Sequence, residues 1–374
     1  MSEYFATVAR GLEELAAQEL TELGAQDVAQ GFCGVSFQGD RELLYRVNLW
    51  ARLPFRVLVK LGEFPSNDDR ELYDGVQQID WGEYLTPELT MAVTVTGKNE
   101  QLNHSHFTAV QVKRAITKQQ TEKFGQRSNV DIQDPNVRIN AHIDKELCIV
   151  SLDSSGSSLH RRGYRSAVGD APLKESLAAA LMKMSGWTPD VAFIDPLCGS
   201  GTLPLEAAMQ ALNIAPGIFR DGFGFENWLD FDPDLFDRLI KSAEAGEKKD
   251  LQATIVGSDR NFDIIEQARS NARSSGVESY IQFAQMELAD VEAPADSGIL
   301  LCNPPYGERL GRDEDLGAFY KLLGDVLKNR FKGWTAFVLS GNKELAKSIG
   351  LKSAQRTTVY NGTLPCQLMK YEMY

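Results

Sequence analysis

The stretch that most restricts this chain's fold is Asp195-Pro196-Leu197-Cys198-Gly199-Ser200-Gly201-Thr202. It follows the apolar run Val191-Ala192-Phe193-Ile194, which reads as a buried strand. It precedes Leu203-Pro204-Leu205-Glu206-Ala207-Ala208-Met209, which reads as a helix. A strand, a tight glycine-rich turn and a helix N-terminus make a pocket for a nucleotide-like ligand. The loop is not a phosphate cradle, because it lacks the third glycine of the dinucleotide pattern and the Gly-Lys-Ser/Thr of a P-loop. A strand that ends in Asp and runs into G-x-G instead fits a ligand with a cationic amino acid end.

From about residue 160 onward the pattern is a βα alternation. Helices are expected at Leu173 to Met184, about 233–248, around Ile264 to Ala272, and Leu316 to Phe331. Strands are expected at Ala253 to Asp259, Tyr280 to Ala284, Gly298 to Cys302 and Trp334 to Leu339. Thr357 to Tyr360 and Gln367 to Tyr371 read as a closing hairpin at the sheet edge. The fold class is therefore α/β: a doubly wound, mostly parallel sheet with an antiparallel tail.

In such sheets ligands bind outside the carboxyl ends of the strands. Four features fall there. Asp195 and the Gly199/Gly201 loop come first, with Gly201 expected to let the backbone approach the ligand. Asp259 ends the second strand, where a carboxylate accepts from both hydroxyls of a ribose. It lies 64 positions after Asp195, against roughly 20 in the dinucleotide fingerprint, so the aromatic and charged segment at 215–250 reads as an insertion. Glu287 follows the third strand, in reach of an adenine amino group. Asn303-Pro304-Pro305-Tyr306 follows the fourth. There Asn303 Oδ1 and the Pro304 carbonyl can accept from one exocyclic amine while Tyr306 stacks on the ring that bears it. Holding both protons of a conjugated amine favours a pyramidal nitrogen and aims its lone pair at an electrophile.

The front half is different. Residues 1–60 alternate strand-like and helical signals and read as a small α+β region. Residues 61–155 read as a second such unit, with a hairpin of Val137 to Ile143 and Leu147 to Leu152 around Asp144-Lys145-Glu146. Ser154-Ser155-Gly156-Ser157-Ser158 opens a linker over 156–172, and a second domain fills 173–374.

At 374 residues the chain holds two or three domains. No apolar run approaches the about 18 residues of a membrane span, and the N-terminus lacks a signal-peptide layout. Five scattered cysteines argue against a disulfide framework or a zinc site and for a reducing cytoplasm. His104 and His106 read as a surface-loop pair and not as metal ligands. The net charge of −13 argues against nucleic acid at first sight, yet phosphate contacts come from patches. Two basic stretches qualify: Lys113, Arg114 and Lys118 with Lys123 and Arg127, for which a solvated helix face is the simpler reading, and Arg161, Arg162 and Arg165 around Tyr164.

Asp195–Thr202, the acidic end of the second strand and Asn303–Tyr306 together resemble class I S-adenosylmethionine-dependent methyltransferases of the branch that modifies amino groups. Ala9-Arg10-Gly11-Leu12-Glu13-Glu14-Leu15, the hairpin at 137–152 and Leu159 to Arg165 resemble the ferredoxin-like and THUMP modules that precede such a domain, with a THUMP module that could begin near 43. Ala171-Pro172-Leu173-Lys174-Glu175, Ala215-Pro216-Gly217 and Asn303 through Leu310 narrow the resemblance to bacterial 23S rRNA guanine-N2-methyltransferases of the RlmL type, over essentially the whole chain. Members with a fused second methyltransferase module continue beyond a position equivalent to Tyr374, so that activity is not expected here. Where Glu287 stands the family commonly has Asp.

The resemblance implies that Asp195, Pro196, Cys198, Gly199, Ser200, Gly201 and Thr202 hold the amino acid end of S-adenosylmethionine, with Asp259 on its ribose and Glu287 at its adenine. Asn303, Pro304 and Tyr306 position a guanosine of large-subunit rRNA, free or in a precursor subunit. No metal and no covalent enzyme intermediate are needed, and Cys198 and Cys302 read as small buried residues. A tRNA guanosine-N2 methyltransferase, a DNA adenine methyltransferase and a non-catalytic ribosome assembly factor are the alternatives, with an NAD-dependent oxidoreductase the remotest.

Overall fold

A computed structural model describes residues 1–165, 173–306 and 315–374. The chain divides into two compact units. One comprises Met1–Val8, Ala17–Leu159 and Asp221–Leu239, the other Ala9–Ala16, His160–Arg220 and Ile240–Tyr374.

The first unit is built on β1 (Ser2–Thr7), α1 (Glu13–Glu22, from Ala17 on), β2 (Gln26–Gly31), β3 (Gly34–Gly39), α2 (Arg41–Trp50), β4 (Arg56–Pro65), α3 (Asp69–Gln77), β5 (Met91–Lys98), α4 (Ser105–Phe124), β6 (Val137–Asp144) and β7 (Leu147–Asp153). The strands form one sheet in the order β2-β3-β1-β4-β7-β6-β5. The boundary expected at residue 60 therefore falls inside β4, which pairs with β1 through Tyr4↔Val59 and with β7 through Val59↔Leu152. β2 escaped the sequence reading because Gln-Asp-Val-Ala-Gln-Gly lacks an apolar alternation, as suits an exposed edge strand. β6 alternates buried and open residues as expected of a strand with one core face.

The serine run is not a free linker. Ser154 and Ser155 have no solvent exposure. Ser154 Oγ donates to the Val57 carbonyl at 2.8 Å and accepts from Asn48 Nδ2 at 2.9 Å. Ser155 Oγ donates to Asn48 Oδ1 at 2.7 Å and accepts from the Val57 amide at 2.9 Å. Two small hydroxyls and one amide thus satisfy one another and the edge of β4, which makes burial of a polar run affordable. Gly156 abuts Gly224, where a Cβ would lie 3.0 Å from the Gly224 nitrogen.

That contact belongs to the insertion expected at 215–250, of which Asp221–Leu239 folds into the first unit. Phe225 is fully buried and stacks on Tyr45 of α2 at 4.3 Å, with Phe223, Phe231 and Phe236 around them. The Phe225 amide donates to the Ser154 carbonyl at 3.0 Å.

In the second unit come α5 (Glu175–Ser185), β8 (Ala192–Asp195), α6 (Thr202–Ala211), α7 (Pro233–Ala245, of which Ile240 onward lies here), β9 (Ile255–Asp259), α8 (Phe262–Ser274), β10 (Ile281–Gln285), β11 (Gly298–Cys302), α9 (Leu316–Arg330), β12 (Thr335–Ser340), α10 (Lys343–Ser348), β13 (Gln355–Asn361) and β14 (Leu364–Glu372). The sheet order is β10-β9-β8-β11-β12-β14-β13. The first five strands run parallel; β14 pairs antiparallel with both β12 and β13, so it alone runs in the opposite direction, as the apolar runs and the closing hairpin predict. The short α10 was not anticipated. Among the described residues no helix is long and apolar enough to cross a membrane.

Phe225→Ala should cost the first unit about 3–5 kcal/mol although Phe225 lies in the methyltransferase-like half of the sequence. Hydrogen exchange of the full chain is then expected to speed up in α2 and leave α6 unchanged. Faster exchange confined to α6 would contradict this assignment.

Candidate active site

β8 lies inside its sheet, with β9 on one side and β11 on the other. Asp195 is opposite Gly257 of β9, and Ile194 is opposite Leu300 of β11. Neighbouring strands lie about 4.8 Å apart, so the residues that follow all three strands emerge side by side. The sheet order reverses here, since the chain goes from β8 through β9 to β10 and then returns to β11 on the opposite flank. This is the topological switch point at which such sheets open a crevice.

The loop after β8 is held from beneath. The Cys198 amide donates to the Ser258 carbonyl at 2.9 Å, the Gly199 amide to Asp259 Oδ2 at 3.2 Å, and Asn271 Nδ2 of α8 to the Ser200 carbonyl at 3.1 Å. Gly199 has φ +53° and a Cβ there would meet none of the described residues within 4 Å. Gly201 has φ +84°, and a Cβ would lie 2.7 Å from Leu205 and 3.1 Å from Ala268. The expectation that Gly201 admits a ligand is thus corrected. Its missing side chain lets α6 pack, and Gly199 is the glycine with room in front of it. Pro196 is buried, Ser200 half-buried, and Thr202 the first, buried residue of α6.

The carboxylates differ in setting. Asp195 is 2% exposed. Burial holds its carboxyl well above the usual range and nearby Asp259 pushes the same way, opposed by the Leu197 amide, which donates to Asp195 Oδ1 at 3.1 Å. Asp259 is half-buried, and its two oxygens accept from the amides of Gly199 and Asn261. Glu287 is exposed and caps a 3-10 turn at Leu288–Asp290. Cys198 and Cys302 are buried, and burial raises both thiols well above their ordinary range, with Asp195 adding to the shift; both stay protonated, as suits packing residues.

After β11, Asn303 Oδ1 is a buried oxygen with no hydrogen-bond partner among the described residues. Pro304 is buried and Pro305 half-buried. Tyr306 is 5% exposed, and its hydroxyl accepts from Asn361 Nδ2 of β13 at 3.0 Å. The open stacking face expected of Tyr306 is therefore corrected: the ring is packed against Gly341, where a Cβ would sit 2.9 Å from two of its carbons. Gly307 to Leu310 of the Asn303–Leu310 motif lie outside the described residues, as do Ala171 and Pro172.

Residues 162–370 match the family model of the RMKL-like methyltransferase domain, 66–153 that of the THUMP domain, and 3–58 that of the RlmL ferredoxin-like domain. The chain belongs to the RMKL-like methyltransferase family. A protein of Synechocystis sp. provisionally named an RNA methyltransferase is 56% identical over 99% of this chain and 97% of its own length. The ribosomal RNA large subunit methyltransferase K/L of Syntrophotalea carbinolica is 42% identical over 99% of this chain, which spans only 53% of that relative. The crystal structure of SMU.472, provisionally described as a methyltransferase and complexed with S-adenosylhomocysteine, superposes with a TM-score of 0.88 at 34% identity, covering 100% of this chain and 98% of that one.

The basic residues of this RMKL-like chain fall into two groups. Arg114 and Lys118 on α4 are exposed and Lys113 half-exposed, with Lys118 paired to Glu122 at 2.7 Å. Arg161 is exposed. Arg162 is 2% exposed and Arg165 half-buried, each against a buried carboxylate. The basic surface expected of those two is corrected: their charges are neutralised inside the second unit.

Sequence reasoning missed Asn271, Asn361 and Gly341. Asn271 left a trace, as a polar residue inside the apolar stripe of Ile265, Ala268 and Ala272. Asn361 and Gly341 left none, since the partner of each is Tyr306. Gly341 has ordinary backbone angles, so Gly341→Ala perturbs chiefly the Tyr306 ring and Leu364. This variant is expected to lose activity by about tenfold or more, because a shifted Tyr306 ring also shifts the Asn303–Tyr306 turn that it ends, while keeping its melting temperature within a few degrees. Activity equal to wild type would show that the Tyr306 position does not matter.

Proposed function

We propose that this protein transfers a methyl group from S-adenosylmethionine to the exocyclic N2 amine of a guanosine in large-subunit ribosomal RNA. The observation that supports this most is the unpartnered, buried Asn303 Oδ1 at the end of β11, next to the strand whose loop suits the methyl donor. An orphaned buried acceptor costs about 1–3 kcal/mol, which a substrate amine repays. The names of the K/L relatives favour large-subunit rRNA as the carrier of that amine, and the THUMP match favours RNA over DNA.

The donor set fits S-adenosylmethionine. Asp195 would pair with the amino acid end, the amides at the start of α6 with its carboxylate, Asp259 with the ribose hydroxyls and Glu287 with the adenine amine. When bound, the cofactor supplies an electrophilic methyl group on a sulfonium. Asn303 Oδ1 and the Pro304 carbonyl accept the two amine protons and turn the nitrogen lone pair toward that methyl. No side chain must act as a strong base, because the amine becomes acidic as the N–C bond forms and its proton passes to these acceptors or to water. With Tyr306 packed under β13, the amine clamp is assigned to Asn303 and Pro304, and Tyr306 forms its wall.

Asn303→Ala should lower kcat by about 10²–10³-fold and leave S-adenosylhomocysteine affinity unchanged. The test is transfer of labelled methyl to precursor large subunits, naked 23S rRNA and bulk tRNA, followed by nucleoside analysis. N2-methylguanosine in large-subunit RNA is the expected product; N6-methyladenosine, label in tRNA alone, or no label would overturn the proposal.

Asp195 gives a pH signature. Its free-state pKa is raised by burial, and a cationic ligand favours the carboxylate, so binding should release a proton. Affinity is then expected to rise with pH from the ordinary carboxylate range up to the raised value and level off above it. Calorimetry in buffers of different ionisation enthalpy reads the released proton, and Asp195→Asn should abolish that release.

A further inference from the structure

The run His160–Arg165 holds three guanidinium groups in six residues, and the methyl-transfer site as described uses none of them. Two are turned into the second unit. Arg162 Nε lies 3.4 Å from Glu206 Oε1 on α6, both side chains being almost free of solvent. Arg165 Nε lies 3.1 Å from Glu175 Oε1 in the first turn of α5. Arg165 Nη2 donates to Thr202 Oγ1 at 2.6 Å and to the Leu173 carbonyl at 2.8 Å. Gly163 sits between them with φ +102°, and a Cβ there would lie 1.9 Å from the Phe219 carbonyl oxygen, so the run can only be threaded this way with glycine.

Burying a guanidinium is costly unless its donors are paired. Arg165 meets that condition with three acceptors, and one of them is informative. Thr202 is the first residue of α6 and the last of the loop after β8. A donor into Thr202 Oγ1 occupies one of its lone pairs, which commits the hydroxyl proton to a different direction. It also ties the first turn of α6, with its free amides, to α5 through Glu175. The loop is held at its other end by Asp259 and Asn271; Arg165 is the matching restraint at the helix end.

We propose that Arg165 is a positioning residue for the methyl donor. It fixes Thr202 and thereby aims the Gly199–Thr202 loop and the α6 N-terminus at the amino acid end of the cofactor, with Glu175 and the Leu173 carbonyl fixing the guanidinium plane. This rests on the reading of that loop as the S-adenosylmethionine site. Lysine is not equivalent, because its three N–H donors diverge from a single nitrogen, whereas Arg165 reaches its acceptors from Nε and Nη2 of one rigid plane.

The test uses the full chain as wild type, Arg165→Lys, Thr202→Val and the double variant. S-Adenosylhomocysteine binding is measured by calorimetry, RNA binding across a salt series, and methyl transfer with S-adenosylmethionine varied. Arg165→Lys is expected to weaken S-adenosylhomocysteine and raise KM for S-adenosylmethionine, both by about tenfold or more. At saturating donor its kcat should stay within about twofold of wild type, and RNA affinity and its salt slope should not change. Thr202→Val, which keeps the Arg165–Glu175 pair, should weaken the cofactor similarly, and the double variant should be no worse than the stronger single one. Unchanged cofactor affinity in Arg165→Lys while wild type binds overturns the inference alone. So does a loss of RNA affinity with a shallower salt slope, which marks a phosphate contact. A wild-type chain that takes up no S-adenosylhomocysteine overturns the cofactor reading and the inference together.

Discussion

Parallel pairing of β8 on both of its flanks is the constraint on which the rest of the second unit depends. A parallel strand needs a crossover to reach its neighbour, and crossovers are right-handed. Winding first to β9 and β10 and then back to β11 therefore puts helices on both faces and makes the loops part at the carboxyl ends of β8, β9 and β11. Asp195, Asp259 and Asn303 are the residues at those ends, separated by long stretches of sequence and brought together by register. Gly257 and Gly201 serve the same architecture. A Cβ at Gly257 would lie 2.8 Å from Phe283 and 3.1 Å from Pro204, so α6 and the ring of β10 can close on the strand only over glycine.

Buried polarity is closed off around Ser154 and left open around Asn303. In the first, Asn48, Ser154, Ser155 and Val57 form a closed set in which each donor meets an acceptor, and such a set rigidifies. In the second, Asn303 Oδ1 is left without a partner and Asp195 is kept in a setting that opposes its charge. Unsatisfied buried groups are destabilising; Ser258 Oγ and Asn303 Oδ1, at the ends of β9 and β11, are two of them among the described residues, as suits a site prepared for something other than itself. The Arg162–Glu206 and Arg165–Glu175 pairs lie between these extremes, as buried charges that are paired and so act as framework.

Much of this was legible in the sequence because it depends on local pattern. Apolar runs ending in Asp or Asn marked β8, β9 and β11, a G-x-G turn marked the start of α6, and the two-strand tail showed as an alternating hairpin. The misreadings share one physical cause: polarity of a side chain does not reveal where its partner is. Ser154 and Ser155 look like a linker until Asn48 is placed beside them. Arg162 and Arg165 look like a phosphate patch until Glu206 and Glu175 face them. Tyr306 looks available for stacking until Asn361 takes its hydroxyl. The Phe223–Phe236 cluster looked like an insertion into a methyltransferase domain, and its role became visible only with Tyr45 as its stacking partner in the first unit.

The central claim, that the ends of β8, β9 and β10 hold the methyl donor beside the end of β11, is most directly tested by hydrogen exchange of the full chain with and without S-adenosylhomocysteine. Slower exchange is predicted in 198–203, 259–261 and 286–289, with the amides of β6 and β7 unaffected. Protection confined to any other part of the chain, or no protection at saturating ligand, would contradict it.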